Sequence, residues 1–199
     1  MKEKNIVLNT EQDIENFYKK IWIYKSIFYK NVKFNLDDKT NNVMCKNIIE
    51  ALNIKNKRKR INFVYDKSCE YIDNYNNDQK ISCEFKDGKC IHQHHTDRYN
   101  GCCSLCRYQS EKGCMTQNIS CKLFFCDSLC KKYKILKFKD LKILKCLSLR
   151  NRIIIRNNFF TRKETFLREL YINSLIVYAI LVFVSMIKNM IFGYKKKHS

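Results

Sequence analysis

Residues that break regular structure are scarce in this sequence. Its 199 residues include no proline and four glycines, and alanine occurs only at Ala51 and Ala179. Lysine, asparagine and isoleucine abound instead, as is typical of an AT-rich genome, so composition by itself carries little information about function. The chain lacks a Gly-rich loop that could cradle phosphate groups, and it lacks a nucleophile-elbow pattern. An enzyme is therefore the least favoured class, and no catalytic residue is predicted.

Acidic residues are also few. The 39 lysines and arginines outnumber the 19 acidic residues, which gives a formal net charge of +20 at pH 7. A positive field of this size attracts nucleic acids and anionic membrane surfaces. The length is sufficient for a domain with a hydrophobic core, and we expect one compact unit.

Cysteine is the abundant residue with specialised chemistry. Nine of the twelve cysteines lie between Cys83 and Cys130, together with three of the four histidines. Thiolates are soft ligands that hold zinc or an iron–sulfur cluster, and the sequence does not distinguish between the two. The predicted metal ligands are Cys83, Cys90, His92, Cys102, Cys103, Cys106, Cys114, Cys121, Cys126 and Cys130. We expect at least one metal or cluster site, because so many thiols in a short segment are hard to explain as packing.

Disulfides are the main alternative for the cysteines. A disulfide framework requires an oxidising compartment, which a protein reaches through a secretory signal. The N-terminus has only the short apolar run Ile6-Val7-Leu8 and lacks the features of such a signal. We therefore expect reduced thiols and a chain whose bulk lies in the cytoplasm. Inert or redox-active thiols are a third alternative.

Two short runs on either side of Asp87-Gly88 predict a β-hairpin, because this dipeptide favours a two-residue turn. The pairs that this turn implies are Lys86 with Lys89, Phe85 with Cys90, and Cys83 with His92. Alternate side chains of a strand share a face, so Cys83, Cys90 and His92 would emerge on the same side of the hairpin. Packing of the two cysteines as small core residues is the alternative.

The cysteines that follow the predicted hairpin are more closely spaced in the sequence. Cys103 and Cys106 form a C-x2-C pair of the kind found at zinc and iron–sulfur sites. Cys126 and Cys130 lie four residues apart and would share a helix face.

A family resemblance rests on three short motifs in residues 102–124. The order Cys102-Cys103, then Gly113-Cys114, then Cys121-Lys122-Leu123-Phe124 resembles the YkgJ-like cysteine-cluster family, which is thought to chelate zinc or iron. The resemblance implies metal binding and defines no reaction.

An uncharged apolar run near the C-terminus predicts a membrane anchor. The 18 residues from Leu170 to Ile187 would form a helix of about 27 Å, close to the 30 Å of a hydrocarbon core. Lys188 could snorkel, which would extend the span to Phe192. The aromatic rings of Tyr171 and Tyr194 would then lie at the two interfaces. A buried core helix is the alternative.

Basic residues flank this run on both sides. Each would be attracted to anionic lipids by about 1 kcal/mol. The predicted membrane-surface residues are Arg150, Arg152, Arg156, Arg162, Lys163, Arg168, Lys195, Lys196 and Lys197.

Periodicity predicts the remaining elements. Apolar residues at three- and four-residue spacings favour an amphipathic helix from Gln12 to Leu36, and Thr40 would cap a second helix through Leu52, giving a helical hairpin. The basic run Lys55 to Arg60 predicts a solvated loop, with a nucleic-acid or phosphate contact as the alternative. Alternation in Ile61 to Tyr65 suggests a strand.

Two further helices are expected before the predicted span. One is a core-facing helix that carries Phe138, Leu141, Leu144 and Leu147 at helical spacing. The other starts at the capping-box pattern Thr161 to Glu164 and runs on into the membrane.

These expectations combine into an α+β, mainly α fold with segments of different character. The predicted segments are a helical hairpin with a basic run (1–60), a cysteine-rich metal-binding region (61–135), a basic helical juxtamembrane segment (136–169), a transmembrane helix (170–192) and a basic tail (193–199).

The favoured function is a cell-membrane protein that binds zinc or an iron–sulfur cluster for sensing or electron transfer. A zinc-stabilised, basic nucleic-acid-binding protein is an alternative, disfavoured because much of the basicity is compositional. A disulfide-rich surface protein anchored by its last helix is another. The sequence specifies no protein partner.

Overall fold

The computed structural model describes residues 4–24, 32–36, 42–81, 85–86, 89–90, 109–110, 113–114, 117–159, 161–171 and 183. The helices are α1 (Glu11–Tyr24), α2 (Val43–Asn53), α3 (Lys57–Asp78), α4 (Ile119–Lys122), α5 (Asp127–Lys132), α6 (Leu149–Asn157) and α7 (Lys163–Tyr171), with 3-10 helices at Phe138–Asp140 and Lys142–Cys146. The strands are β1 (Lys4–Leu8), β2 (Val32–Leu36), β3 (Phe85–Lys86), β4 (Lys89–Cys90), β5 (Gln109–Ser110) and β6 (Gly113–Cys114). The fold is mainly helical with small sheets, which confirms the predicted class.

The N-terminal unit is β1-α1-β2 rather than a helical hairpin. β1 and β2 pair in parallel, from Lys4 opposite Val32 to Leu8 opposite Leu36, and a parallel pair requires a crossover such as α1. The predicted helix from Gln12 to Leu36 is therefore correct through Tyr24 and wrong at Val32–Leu36, while residues 25–31 lie outside the described residues. Val32, Phe34 and Leu36 are half-buried, while the residues between them are exposed. Residues four positions apart share a face in both a helix and a strand. The apolar spacing within β2 therefore looks like a continuation of the helix.

Asparagine side chains start the next two helices. The Asn42 side-chain oxygen accepts from the Cys45 N–H at 2.9 Å at the start of α2, two residues after the predicted cap at Thr40. The Asn56 oxygen accepts from the Lys59 N–H at 3.1 Å at the start of α3. Both bonds satisfy a backbone donor that the helix itself leaves without a partner.

The long helix α3 replaces two predicted elements. Residues 57–60 of the basic run form its first turn, and the predicted strand from Ile61 to Tyr65 is helical. Its buried positions follow helical spacing: Ile61, Val64, Tyr65, Ser68, Cys69 and Ile72. Five alternating residues were too few to separate a strand from a helix that is buried on one side.

The hydrophobic core surrounds α3. Ile48 of α2, Ile154 of α6 and Phe166 of α7 are among the buried residues of this cluster. The Tyr65 ring lies 5.6 Å from that of Phe166, and its hydroxyl accepts a hydrogen bond from the Ile119 N–H at 3.3 Å. Tyr65 therefore joins α3 to both α4 and α7.

The prediction of a core-facing helix around Phe138 is correct about which side chains are buried and wrong about the type of helix. Leu141, Leu144 and Leu147 are buried in the core, and Phe138 packs against it half-buried. The chain forms two short 3-10 helices here, with hydrogen bonds from Leu144 N–H to Leu141 O and from Leu147 N–H to Leu144 O. The three-residue spacing of these leucines matches the 3-10 repeat.

The predicted hairpin is present. β3 and β4 are antiparallel, with Phe85 opposite Cys90 and Lys86 opposite Lys89, as the Asp87-Gly88 turn indicated. The expected third pair, Cys83 with His92, lies outside the described residues. A second hairpin, which the sequence analysis did not predict, joins β5 to β6.

The helix predicted to enter the membrane is described only at its start. α7 begins at Lys163 and is described through Tyr171. Among the residues that the structure describes, no helix is long and apolar enough to cross a membrane. Apart from Leu170, Tyr171 and Phe183, the predicted span 170–192 lies outside those residues.

Candidate functional sites

Cysteines of the helical scaffold are buried. Cys45, Cys69 and Cys146 lie in the core, and burial raises the pKa of the Cys45 thiol to about 11 and that of the Cys69 thiol to about 12. A thiol that keeps its proton at neutral pH is a poor nucleophile and a poor metal ligand. These residues therefore act as small apolar side chains in the core.

Cys121, a predicted ligand, is also buried. It lies in the short helix α4, where its N–H donates to the Asn118 side-chain oxygen at 3.0 Å. The next residue, Lys122, forms an ion pair with Asp73 of α3. The motif that carries part of the family resemblance thus packs against α3.

Cys126 and Cys130 occupy the beginning of α5 and reach the surface. Cys126 is half-buried and Cys130 is exposed, and the Cys130 N–H donates to the Cys126 carbonyl at 3.0 Å. Partial burial, then the neighbouring Cys126 thiol and Asp127, raise the pKa of Cys130. A cation bound between two such groups reverses that effect, because it stabilises both thiolates. Unlike the core thiols, these two are accessible to a metal ion because they reach the surface.

The two hairpins carry cysteines at equivalent positions. Cys90 is the last residue of β4, opposite Phe85, and Cys114 is the last residue of β6, opposite Gln109. Both hairpins have two-residue strands and two-residue connections. The second hairpin has little signal in the sequence, because Glu111-Lys112 is not a typical turn dipeptide and Gly113 is disfavoured in strands.

The structure does not bring the predicted ligands into one described cluster. Within the described ranges, no group of three or more His, Cys, Asp or Glu residues could hold a metal ion. The predicted ligands outside those ranges are Cys83, His92, Cys102, Cys103 and Cys106. The metal site consequently stays a prediction.

A second site lies at the N-terminal end of α3. A cavity of about 370 Å³ is lined by Asn56, Lys57, Arg58, Ile61 and Tyr171. The Arg58 guanidinium lies over the Tyr171 ring, 5.4 Å from its centroid. No carboxylate is among these lining residues.

Arg60 has a structural role in the same turn. Its Nε donates to the Ile54 carbonyl at 3.0 Å, and a terminal nitrogen donates to the Lys55 carbonyl at 3.5 Å. These bonds hold the loop that leads into α3. Lys57 and Arg58 of the same turn line the cavity.

α7 runs antiparallel to α3 and reaches this cavity at Tyr171, its last described residue. At the beginning of α7, Lys163 forms an ion pair with Asp66, and at its end the Tyr171 hydroxyl donates to the Asn62 side chain. The residues contacted on α3 thus move toward its N-terminus as α7 advances. Tyr171, the last described residue of α7, therefore lies beside the basic residues of α3.

The predicted membrane-surface cations are divided between the two ends of α7. Lys163 lies at its beginning, paired with Asp66, whereas Arg168 is exposed in its last turn. Arg150 of α6 donates to the Glu169 carbonyl at 3.5 Å, which places it near the same end as Arg168. Burial raises the pKa of Glu169, although a hydrogen bond from Asn158 opposes the shift. The positions of Lys195, Lys196 and Lys197 lie outside the described residues.

No protein-family model, curated protein or solved structure matches this chain.

Proposed function

We propose that the protein is a membrane-anchored metal-binding module. A helical scaffold carries a cysteine-rich segment, residues 82–116, that binds zinc or an iron–sulfur cluster. Cys126 and Cys130 at the scaffold surface complete the ligand pool. The bound metal serves in sensing or electron transfer rather than in catalysis of a reaction.

The position of the cysteine-rich segment between packed helices carries this proposal. The segment follows the end of α3 and precedes α4, and α4 packs back against α3 through the bond from Ile119 to Tyr65. The scaffold therefore closes its own core without the segment. The segment itself has few apolar residues with which to form a second core. A short polar stretch of this kind requires a metal or cross-links to fold.

The different environments of the thiols support metal binding. Cys45 and Cys69, which are packed in the scaffold, have raised pKa values and resist deprotonation. Cys126 and Cys130 reach the surface at α5, and the predicted ligands from Cys83 to Cys114 fall between α3 and α4 in the sequence. A structural zinc site would contribute on the order of 10 kcal/mol to the folding of the segment.

The geometry at the end of α7 and the sequence beyond it support the proposed anchor. α7 is docked on α3 by the ion pair of Lys163 with Asp66 and by the burial of Phe166. The uncharged run to Ile187 continues directly from this docked helix. A span that starts there would hold the scaffold against the membrane surface.

Metal analysis of the full-length protein tests the proposal. The protein should be purified in detergent under anaerobic conditions from metal-replete cells, and its zinc, iron and visible absorption should be measured. We expect stoichiometric zinc in a colourless protein, or iron with the absorption of a cluster. Cys103→Ser and Cys114→Ser should lower the metal content, and the matched variant Cys45→Ala, which alters a core thiol, should not. Parent protein without stoichiometric zinc or iron would refute metal binding.

A further inference from the structure

The basic end of α3 combines charge, an aromatic ring and a cavity. Five cations occupy residues 55–60, and the sequence has no acidic residue between Glu50 and Asp66. Lys57 and Arg58 from this run line the cavity together with Tyr171. The local field therefore favours an anion.

The size of the cavity suits a small anionic group. Its volume of about 370 Å³ lies at the lower end of the range for small-molecule sites, about 300–1,000 Å³. Arg58 is held over the Tyr171 ring at 5.4 Å from the centroid, which orients the guanidinium at low entropic cost. An oriented guanidinium can donate two parallel hydrogen bonds to a phosphate, and Lys57 adds a second charge.

The location of the cavity indicates the source of that phosphate. Tyr171 is the second residue of the apolar run from Leu170 to Ile187. Tyrosine at the beginning of a membrane span lies at the level of the lipid headgroups. Lys57 and Arg58 would consequently lie at that level as well.

We propose that this cavity binds the phosphate of an anionic lipid headgroup. The inference rests on the proposed membrane anchor, and it assigns to the basic run a specific ligand that differs from a nucleic acid. A nucleic-acid site requires a row of cations that follows several phosphates along the backbone. Here two cations line one small cavity, bounded by Ile61 and the Tyr171 ring.

Lipid titration of the full-length protein tests the site directly. Detergent-solubilised protein is titrated with phosphatidic acid or phosphatidylcholine, and bound lipid is counted by native mass spectrometry. Parallel titrations use glycerol 3-phosphate, which lacks acyl chains, and a short duplex oligonucleotide. The test variant is Lys57→Gln/Arg58→Gln, because glutamine keeps the helix propensity and removes the charges.

The opposite end of α3 provides a charge-matched control. The Tyr75 hydroxyl donates to the Lys134 carbonyl at 2.8 Å, which places Lys134 near the C-terminal end of the helix. Tyr75 is about 25 Å from Arg58 along the helix axis, well beyond the Debye length of about 8 Å at physiological salt. The exposed pair Lys131 and Lys134 can therefore be changed to glutamine with the same loss of net charge and no effect on the cavity.

We expect the parent protein to prefer phosphatidic acid to phosphatidylcholine. Each lost cation should weaken binding about fivefold, so Lys57→Gln/Arg58→Gln should bind phosphatidic acid about 25-fold more weakly, whereas Lys131→Gln/Lys134→Gln should bind it like the parent. Arg58→Lys should retain part of the affinity because it keeps the charge without the planar guanidinium.

Several results would overturn the proposal. Equal loss of affinity in the two double variants would show that only net charge matters. Glycerol 3-phosphate binding as tightly as phosphatidic acid would identify a soluble phosphate as the ligand. An oligonucleotide that binds more tightly than lipid, and that depends on Lys57 and Arg58, would identify a nucleic-acid site. Carbonate extraction from membranes tests the anchor separately, so failure of the anchor is distinguishable from failure of the site.

Discussion

The same residue type has two different environments in this protein. In the helical scaffold, Cys45 and Cys69 are almost fully buried among aliphatic and aromatic side chains, and their raised pKa values keep them protonated. In the hairpins, Cys90 and Cys114 stand at the ends of two-residue strands that cannot form a core of their own. The comparison indicates that the thiols of the scaffold core are structural, because burial holds their protons, and that candidate ligands should be sought outside that core.

Metal removal should separate the two regions most strongly. We expect a chelator to make residues 82–116 sensitive to protease while the scaffold helices stay protected, because a structural zinc site contributes on the order of 10 kcal/mol. Limited proteolysis with mass mapping of the cleavage sites measures this. Cleavage that begins in α2 or α3 would show that the two regions unfold together.

Substitution of Tyr65 should affect the scaffold. Tyr65→Ala removes a large buried side chain beside Phe166 and should cost about 3–5 kcal/mol in the free energy of unfolding. Tyr65→Phe keeps the ring but leaves the Ile119 N–H without its acceptor, at a cost of about 1–3 kcal/mol. Urea unfolding measured by circular dichroism gives both values, and a Tyr65→Phe variant as stable as the parent would contradict the assigned hydrogen bond.

Alkaline pH should destabilise the scaffold through its buried thiols. Burial raises the pKa of Cys69 from 9.0 to about 12, so the folded state holds this proton more tightly than the unfolded state. The associated stability is present below about pH 9 and is lost as the pH rises toward 12, at up to about 1.4 kcal/mol per pH unit. The slope of unfolding free energy against pH should be shallower in Cys69→Ala than in the parent. Identical slopes between pH 9 and 10.5 would show that this thiol ionises as readily in the folded protein.

The cap of α3 gives the smallest expected effect. Asn56→Ala removes the acceptor of the Lys59 N–H and should destabilise the protein by about 1 kcal/mol. Asn56→Asp, which keeps an acceptor, is the matched control and should retain most of the stability in the same urea experiment. A loss as large in Asn56→Asp as in Asn56→Ala would argue against capping as the cause.

Local signals in the sequence predicted the local features. Asp87-Gly88 specified the turn and the register of the first hairpin because few dipeptides adopt that turn. The burial of Leu141, Leu144 and Leu147 followed from their three-residue spacing. The division between helix and strand failed in Val32–Leu36 and Ile61–Tyr65, where a few apolar residues fit both periods.

The basic site depends on contacts that the sequence does not reveal. The Lys55 to Arg60 run and the beginning of the apolar run lie far apart in the sequence. Their proximity results from the antiparallel packing of α7 on α3, which brings Arg58 to Tyr171. A tertiary contact between such distant residues has no periodic signal in a single sequence.

Differential alkylation of the full-length protein tests the central claim most directly. Native protein is treated with one alkylating reagent before and after chelation, and with a second reagent after denaturation, and each cysteine is assigned by peptide mass spectrometry. The account predicts that chelation exposes the thiols of residues 82–116 together with Cys126 and Cys130, whereas Cys45, Cys69 and Cys146 react only after denaturation. Recovery of the segment's cysteines as disulfide-linked peptides, or their complete alkylation before chelation, would contradict it.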